Sequence, residues 1–229
     1  MNEHFSKLER RNAAIAADGK SHDRLPLARV WRDLTSGQAR IVDGFITEER
    51  CYLVLTPLPN HEKPRPPTGR RLSVLEGLLC GQSLKALAYD LCVSPSTVSS
   101  EAKSALQQLG LECTPCKAQP LLAMLARAAA EDQLNRCARS ACFSDGDTVL
   151  LVISAVRPEA QLAPVLSPAE FAVVRGLLEG RNYVEIARKR GTSTRTVANQ
   201  LAAAFRRLGV SGRASLLDHV VSVGRSVAT

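Results

Sequence analysis

Apolar residues recur at helical spacing through the last third of the chain. From Leu166 to Leu217 the sequence divides into four short amphipathic segments separated by turn signals. Ser167 and Pro168 form a helix start, because serine is a good N-cap and proline is tolerated in the first turn. Gly180 ends this first segment. The pattern predicts a compact helical unit.

A short turn around Gly191 separates the second segment from the third, which Ser193 or Thr194 caps. Two helices joined by so short a turn predict a helix-turn-helix unit, and a fourth helix follows Gly212. The side chains predicted to face inward are Phe171, Val174, Leu177 and Leu178 in the first helix, Tyr183, Ile186 and Ala187 in the second, and Val197, Leu201, Ala204, Phe205 and Leu208 in the third.

An internal repeat extends the pattern upstream. A shift of 99 residues aligns Thr68–Leu111 with Ser167–Val210 without a gap. Identical residues fall at Gly77, Leu78, Leu79, Gly81, Ala88, Ser94, Thr97, Val98, Leu109 and Gly110. The sequence therefore predicts two helix-turn-helix units. In the first, the inward-facing residues are Leu72, Leu75, Leu78 and Leu79, then Leu84, Leu87 and Ala88, then Val98, Ala102, Ala105, Leu106 and Leu109.

A pair of β-rich runs precedes each unit. The pairs are Ala39–Phe45 with Tyr52–Thr56, and Ala138–Phe143 with Thr148–Ala155. Asp145-Gly146 between apolar runs is a strong hairpin signal. A helix precedes each pair, at residues 27–34 and 120–130, and the second also serves as the fourth helix of the first unit. Because a lone hairpin is marginal in water, we expect the two hairpins to merge into one four-stranded sheet about a pseudo-twofold axis.

The predicted fold is mainly α with small β-hairpins, an α+β tandem repeat of helix, hairpin and helix-turn-helix. Residues 1–25 form a polar, loosely held helix or arm, and residues 26–58 form a helix plus hairpin. Residues 66–130 form the first helix-turn-helix unit, 131–158 the second hairpin, and 164–229 the second unit. A proline-rich basic connector lies at residues 59–67.

Composition indicates the kind of partner and compartment. A net charge of +8 and a pI near 9.4 favour a polyanionic partner. The chain has no apolar run of membrane-spanning length and no signal-peptide pattern, so we expect a cytoplasmic, nucleoid-associated protein without a membrane partner. Seven scattered cysteines fit reduced thiols better than a disulfide framework.

Charge differs between the two units. Residues 66–112 carry four basic and four acidic side chains, whereas residues 164–229 carry ten basic and four acidic ones, a net charge of +6. Neutralisation of phosphates supplies most non-specific affinity for DNA. The second unit is therefore the better candidate for DNA binding.

The second unit resembles the LuxR, or NarL/FixJ, type of bacterial DNA-binding domain. The matching residues are Leu166–Glu170, Gly180, Glu185–Ala187, Thr196–Val197 and Leu208–Ala214. The resemblance implies a bacterial transcriptional regulator whose third helix enters the major groove of duplex DNA and whose fourth helix dimerises. The family usually has a lysine and a histidine where this chain has Ala198 and Gln200, so base preference does not transfer.

The resemblance implies a set of interface residues. DNA-binding residues are Thr194, Arg195, Thr196, Ala198, Asn199, Gln200, Ala202, Arg206 and Arg207. Weaker DNA contacts in the degenerate first unit are Ser96, Ser99, Ser100 and Lys103, beside Glu101, which would meet phosphates unfavourably. Leu216, Leu217, Val220 and Val221 form the dimerisation surface, used either in a homodimer or in an intramolecular pseudo-dimer. Asn199 is suited to adenine and the arginines to phosphate or guanine. The alternative is that these side chains are merely solvated on a surface helix.

Other chemistry is weakly indicated. Cys113 and Cys116 have zinc-knuckle spacing, and Cys137 with Cys142 would complete four ligands, but the spacing of the second pair and the lack of a nearby histidine favour ordinary thiols. We expect no metal, no cofactor and no enzymatic activity, since the sequence has no nucleophile elbow, P-loop or paired carboxylates. RNA polymerase or another regulator is a further expected partner. A rival function is a protein-interaction module that masks or heterodimerises with another regulator.

Overall fold

The structure is a computed structural model that describes residues 6–20, 26–58, 66–67, 69–111, 119–130 and 138–223. Helices and a β-sheet combine in an α+β fold, as the sequence predicts. In the described residues the helices are α1 (Lys7–Lys20), α2 (Leu27–Thr35), α3 (Arg70–Leu79), α4 (Leu84–Asp90), α5 (Pro95–Gln108), α6 (Gln119–Ala130), α7 (Pro168–Leu178), α8 (Tyr183–Arg190), α9 (Thr194–Leu208) and α10 (Arg213–Val223). The strands are β1 (Ala39–Ile46), β2 (Arg50–Pro57), β3 (Ala138–Asp145) and β4 (Thr148–Val156), and a 3-10 turn spans Pro158–Leu162.

The two hairpins join into one antiparallel sheet with the strand order β1-β2-β4-β3. The second hairpin closes tightly, because Asp145 pairs with Thr148 and Gly146 has a φ of 60° in the turn. Strands β2 and β4 pair at the centre, where Leu53 lies opposite Ile153. The predicted merger of the hairpins is confirmed, and it places the central strands between two layers of helix.

One face of the sheet carries the main hydrophobic core. Leu53 and Ile153 are buried there among apolar side chains of α2 and α6. Trp31 of α2 is 2% exposed, and its indole N–H donates a hydrogen bond of 3.0 Å to Oε1 of Glu76 in α3. The core continues from the sheet through α3 to the C-terminal helices.

Helix α1 covers the opposite face of the sheet. Its residue Ala14 is fully buried in a cluster with Phe45, Tyr52, Val54 and other strand residues. The sequence predicts a loosely held N-terminal helix or arm over residues 1–25, and for the described residues 6–20 this prediction is wrong. The helix is fixed by small apolar contacts and by buried charges.

Two carboxylates show how α1 is held. Asp43 of β1 accepts two hydrogen bonds from the Arg11 guanidinium, at 2.6 and 3.0 Å. Asp18 is 3% exposed, accepts a hydrogen bond of 2.6 Å from the Ser154 hydroxyl, and lies 3.3 Å from Nε of Arg50. Polar residues that suggest a solvated helix are thus paired with strand residues far away in sequence.

Helices α3 to α5 pack around a small core of their own. Its buried members are Val74, Leu87, Ala88, Val98 and Ala102. The prediction that Leu84 faces inward is wrong, because it is 42% exposed at the start of α4. Cys92 has a φ of 52° in the turn before α5, a conformation that residues other than glycine rarely adopt. The Ile41 N–H donates to the Leu109 carbonyl at 2.8 Å, which attaches this unit to the edge strand β1.

Helix α10 packs within its own chain. The four apolar side chains predicted to dimerise are Leu216, Leu217, Val220 and Val221, and they are at most 2% exposed. Helix α6 lies beside them, where Arg127 donates to the Ser222 hydroxyl at 2.9 Å and pairs with Asp218. The four side chains are therefore already covered by the chain itself and do not form an exposed surface for a second copy.

Several predicted features fall outside the described residues, namely the connector at residues 59–65 and the three cysteines Cys113, Cys116 and Cys137. Of the cysteines that are described, Cys51 is buried and Cys142 is exposed, and both are free thiols. Within the described ranges, no cluster of histidine, cysteine and acidic side chains is arranged to hold a metal ion. No helix in that part of the chain has the length and apolar character needed to cross a membrane.

Candidate nucleic-acid interface

Reciprocal side-chain caps stabilise the first turns of α7 and α8, the two helices that pack against α9. At the start of α7 the Ser167 hydroxyl accepts from the Glu170 N–H at 3.3 Å, and the Glu170 carboxylate accepts from the Ser167 N–H at 2.9 Å. Asn182 and Glu185 repeat this capping box at the start of α8, at 2.9 and 2.8 Å. Each box satisfies N–H groups that the first turn leaves unpaired. The hydrogen bonds from the Ser167 hydroxyl and N–H hold the pKa of the Glu170 carboxyl below its usual value.

The turn between α8 and α9 is set by two residues. Gly191 has a φ of 62°, and Ser193 caps α9 by accepting a hydrogen bond of 3.0 Å from the Thr196 N–H. Helix α8 also lies close to α7, because a Cβ at Gly176 would stand 3.0 Å from Cγ1 of Ile186. The orientation of α9 therefore follows from local sequence.

One side of α9 is buried and the other faces solvent. Val197, Leu201 and Ala204 are at most 1% exposed. At about 100° per residue, the side chains on the opposite side fall within roughly 60° of one another around the helix axis. These exposed side chains are Arg195, Asn199, Ala202 and Arg206, and we call them the α9 stripe. The stripe presents an amide and a small side chain between two arginines.

Two of the predicted DNA-binding residues bind other parts of the chain. The Gln200 side-chain carbonyl accepts a hydrogen bond from the Arg190 guanidinium of α8. Arg207 lies 3.2 Å from the Glu170 carboxylate at the start of α7. Both residues flank the α9 stripe and are engaged within the domain.

The remaining predicted residues lie at the start of α9 and beside the stripe. Thr194 is exposed, whereas Thr196 is half-buried with its hydroxyl 2.9 Å from that of Ser193. Ala198 is half-buried at the edge of the stripe. Only the small Ala198 and the exposed Thr194 add directly to the accessible face.

The structure adds three cations that the sequence analysis did not assign to the interface. Arg188, Lys189 and Arg190 form a basic run at the end of α8, directly before the turn into α9. The run is visible in the sequence and could have been chosen as a candidate for phosphate contacts. By contrast, Tyr183 at the start of α8 is 41% exposed, so the prediction that it lines the inner face is wrong.

The two units differ in how their cations are paired. In the described part of the chain, Arg188, Lys189, Arg195 and Arg206 have no carboxylate partner. Uncompensated cations generate the positive potential that attracts a polyanion. Lys85 and Lys103 of the first unit also lack a carboxylate partner in the described residues, so the excess of such cations around α8 and α9 is four against two.

The first unit neutralises its arginines internally. Arg70 and Arg71 of α3 both bind the Glu101 carboxylate, at 2.9 and 2.8 Å. Their hydrogen bonds, that of Arg70 first, hold the pKa of the Glu101 carboxyl below its usual value. Glu101 is thus held by α3 and is not free to face phosphates as expected. The predicted weaker contacts Ser96, Ser99, Ser100 and Lys103 are all exposed on α5.

The C-terminal helices are similar to a known protein family. Residues 164–220 match the GerE model, described as bacterial regulatory proteins of the luxR family, over α7 to α9 and most of α10. A luxR-family helix-turn-helix domain occupies residues 164–220. At the level of the family, this match supports a DNA-binding transcription regulator. The chain matches no curated protein and no solved structure.

Proposed function

We propose that the chain regulates transcription by inserting the α9 stripe into the major groove of duplex DNA. The observation that carries this proposal is the composition of the stripe, in which Arg195 and Arg206 bracket Asn199 on one exposed side of α9. Groove recognition needs cations for the phosphates and a bidentate side chain for a base edge. The stripe supplies both on one rigid element.

The spacing of the stripe fits the groove. Arg195 and Arg206 are eleven positions apart, which corresponds to about 16 Å along the helix axis. The major groove is about 12 Å wide, so an arginine at each end reaches a phosphate strand on its own side. Asn199 lies between them and faces the base edges, where it pairs with an adenine. The small Ala202 lets the helix approach the groove floor.

Electrostatics supports the same orientation. The run Arg188–Arg190 lies at the end of α8, next to the N-terminus of α9. A helix N-terminus itself favours negative charge because its N–H groups are unpaired. Phosphates on one side of the groove are therefore bound jointly by this run and by the first turn of α9.

We also propose that the first unit, residues 66–130, is a degenerate copy of the second unit and forms an intramolecular pseudo-dimer with it. The pairing of β2 with β4 supports this. The repeat shift of 99 residues maps Leu53 onto Val152 and Ile153 onto Val54, so the pair Leu53–Ile153 corresponds to the pair Val54–Val152 of the same ladder. The packing of α10 beside α6 gives further support. In this arrangement the first unit positions the second, and the second holds DNA.

A second candidate function is protein binding through the first unit. It is favoured by two apolar side chains of α4, Leu84 and Tyr89, which are 42% and 86% exposed. A partner regulator that covers α4 would leave α9 accessible. This candidate adds to DNA binding, and it replaces DNA binding only if α9 has no affinity for a duplex.

Selection of bound fragments from random duplex DNA tests the proposal. We expect Asn199→Ala to weaken binding of the selected site by about 1–3 kcal/mol and to relax base choice at one position, the usual effect of losing a bidentate base contact. Arg207→Ala is the control, because Arg207 is paired with Glu170 beside the stripe. A selected motif that is unchanged by Asn199→Ala would refute the placement of the base-reading side chain.

A further inference from the structure

A cleft lies between α7 and α8, on the luxR-family domain but apart from the α9 stripe. Its volume is about 250 Å³. Phe171 and Ile186 contribute an apolar floor, and Arg175, Arg181, Lys189 and Arg190 stand around the rim. An apolar floor with a few convergent charges is the usual composition of a small-molecule site.

The cleft keeps a positive excess after its own ion pairs are counted. Glu179 is the one carboxylate that lines it in the described residues, and it is 7% exposed. Three guanidinium groups share that carboxylate: Arg175 at 3.3 Å, Arg181 at 2.5 Å, and Arg157 at 3.3 Å, which lies behind the cleft and also pairs with Glu159. Lys189 has no carboxylate partner within the described ranges. One buried carboxylate therefore leaves most of the positive charge unmatched.

A second carboxylate, that of Glu48, already reaches the positively charged rim of the cleft from the sheet. Glu48 projects from the turn between β1 and β2, with a side chain 85% exposed, and its Oε2 lies 3.0 Å from Nη2 of Arg175. The hydrogen bond and charge of Arg175 hold the pKa of Glu48 below its usual value, and the charges of Arg157 and Lys189 act in the same direction. The cleft thus stabilises an anion at its edge. Since an exposed ion pair contributes little, a better-placed anion can displace it.

We propose that the cleft between α7 and α8 binds a small organic carboxylate, with its apolar body on Phe171 and Ile186 and its charge at Arg175 and Lys189 in place of Glu48. The volume limits the ligand, because it lies below the range of about 300–1,000 Å³ that is typical of drug-sized ligands. A single ring or a short aliphatic chain fits. Displacement of Glu48 releases one contact between the sheet and the DNA-binding domain, which couples the ligand to the placement of α9.

Titration of the full chain with benzoate, followed by amide NMR, tests the site directly. We expect saturable shifts confined to α7, α8 and the turn that carries Glu48, with a Kd in the millimolar range. Removal of the internal competitor by Glu48→Gln should tighten binding by up to about fivefold, the factor that an exposed ion pair represents. Arg175→Gln and Lys189→Gln should each weaken it several-fold. Lys189 is exposed and has no carboxylate partner in the described residues, so its variant keeps the fold intact.

Three controls separate the proposal from weaker explanations. Arg29→Gln removes an exposed arginine on α2, away from the cleft, and should leave benzoate binding unchanged. Neutral benzamide should not bind, and inorganic phosphate should bind more weakly than benzoate because it lacks an apolar body. Non-saturable shifts at cations over the whole surface, or no change with Glu48→Gln, would overturn the proposal. If Lys189→Gln lowers duplex affinity and leaves benzoate binding unaltered, the cleft serves DNA phosphates and the proposed ligand is wrong.

Discussion

Gly110 and Gly209 occupy equivalent places 99 residues apart, yet the structure predicts different costs for replacing them by alanine. Both follow the last turn of a helix, α5 or α9, with φ values of 95° and 66°. A Cβ at Gly209 meets nothing within 4 Å. A Cβ at Gly110 would lie 2.2 Å from the Ile41 carbonyl oxygen, which is backbone and cannot move aside cheaply.

The two costs follow from these distances. Gly209→Ala incurs the left-handed conformation alone, about 1–2 kcal/mol. Gly110→Ala adds steric overlap, about 1–3 kcal/mol for an overpacked site, and threatens the hydrogen bond from the Ile41 N–H to the Leu109 carbonyl. The expected loss in free energy of unfolding is therefore about 2–5 kcal/mol for Gly110→Ala and about 1–2 kcal/mol for Gly209→Ala.

Urea unfolding followed by circular dichroism measures both losses. The midpoint should fall further for Gly110→Ala, and amide exchange of Ile41 should accelerate in that variant alone. Equal midpoints for the two variants would refute the close approach of Gly110 to β1, and with it the docking of the first unit on the edge of the sheet.

The remaining predictions concern α1 and α10. Burial opposes ionisation of Asp43, but the hydrogen bond and charge of Arg11, with the charge of Lys7, outweigh it and hold the pKa of Asp43 below its usual value. A carboxyl with a lowered pKa stabilises the fold at pH values above its unfolded pKa, near 4, and this stability is lost as the pH falls through its folded pKa. Asp43→Asn should therefore lower the free energy of unfolding by roughly 2 kcal/mol at pH 7 and weaken the fall of that free energy in acid. Urea titrations at pH 7 and at a pH below the unfolded pKa check this, and parallel pH profiles for the variant and the unaltered chain would contradict it. Since Leu217 and Val220 are buried in their own chain, sedimentation at micromolar concentration should show a monomer, and a stable dimer would show that another surface associates.

Local signals account for much of what the sequence predicts correctly. Ser167 and Ser193 cap α7 and α9 because a serine hydroxyl satisfies free N–H groups wherever the helix lies. The turn at Asp145-Gly146 is equally local. Such features depend on a few neighbouring residues, and periodicity adds the buried side of each helix.

The errors arise where the answer depends on distant residues. Tyr183 and Leu84 continue the apolar spacing of their helices, but each stands in the first turn, beyond the reach of the helices packed against it. The spacing of apolar residues identifies the buried side of a helix, but it does not show where along that helix the neighbouring helix ends. Likewise, the pairing of Arg11 with Asp43 has no sequence signal, because the two residues belong to different elements.

The candidate interface was predictable in part. The α9 stripe follows from helical geometry once α9 is placed, so Arg195, Asn199 and Arg206 could be chosen from the sequence. The same geometry places Arg207 outside the stripe, but only the packed structure shows that it pairs with Glu170. The cleft between α7 and α8 was not predictable, since Glu48 reaches it from the sheet.

The salt dependence of binding to a random-sequence duplex tests the central claim most directly. If the α9 stripe holds DNA, the logarithm of the binding constant falls linearly with the logarithm of salt concentration, and Arg195→Ala and Arg206→Ala each reduce the slope by about 0.9. Arg207→Ala should reduce it less, and Lys103→Ala in the first unit should leave it unchanged. A slope near zero for the unaltered chain, or an equal reduction by Lys103→Ala, would contradict this account.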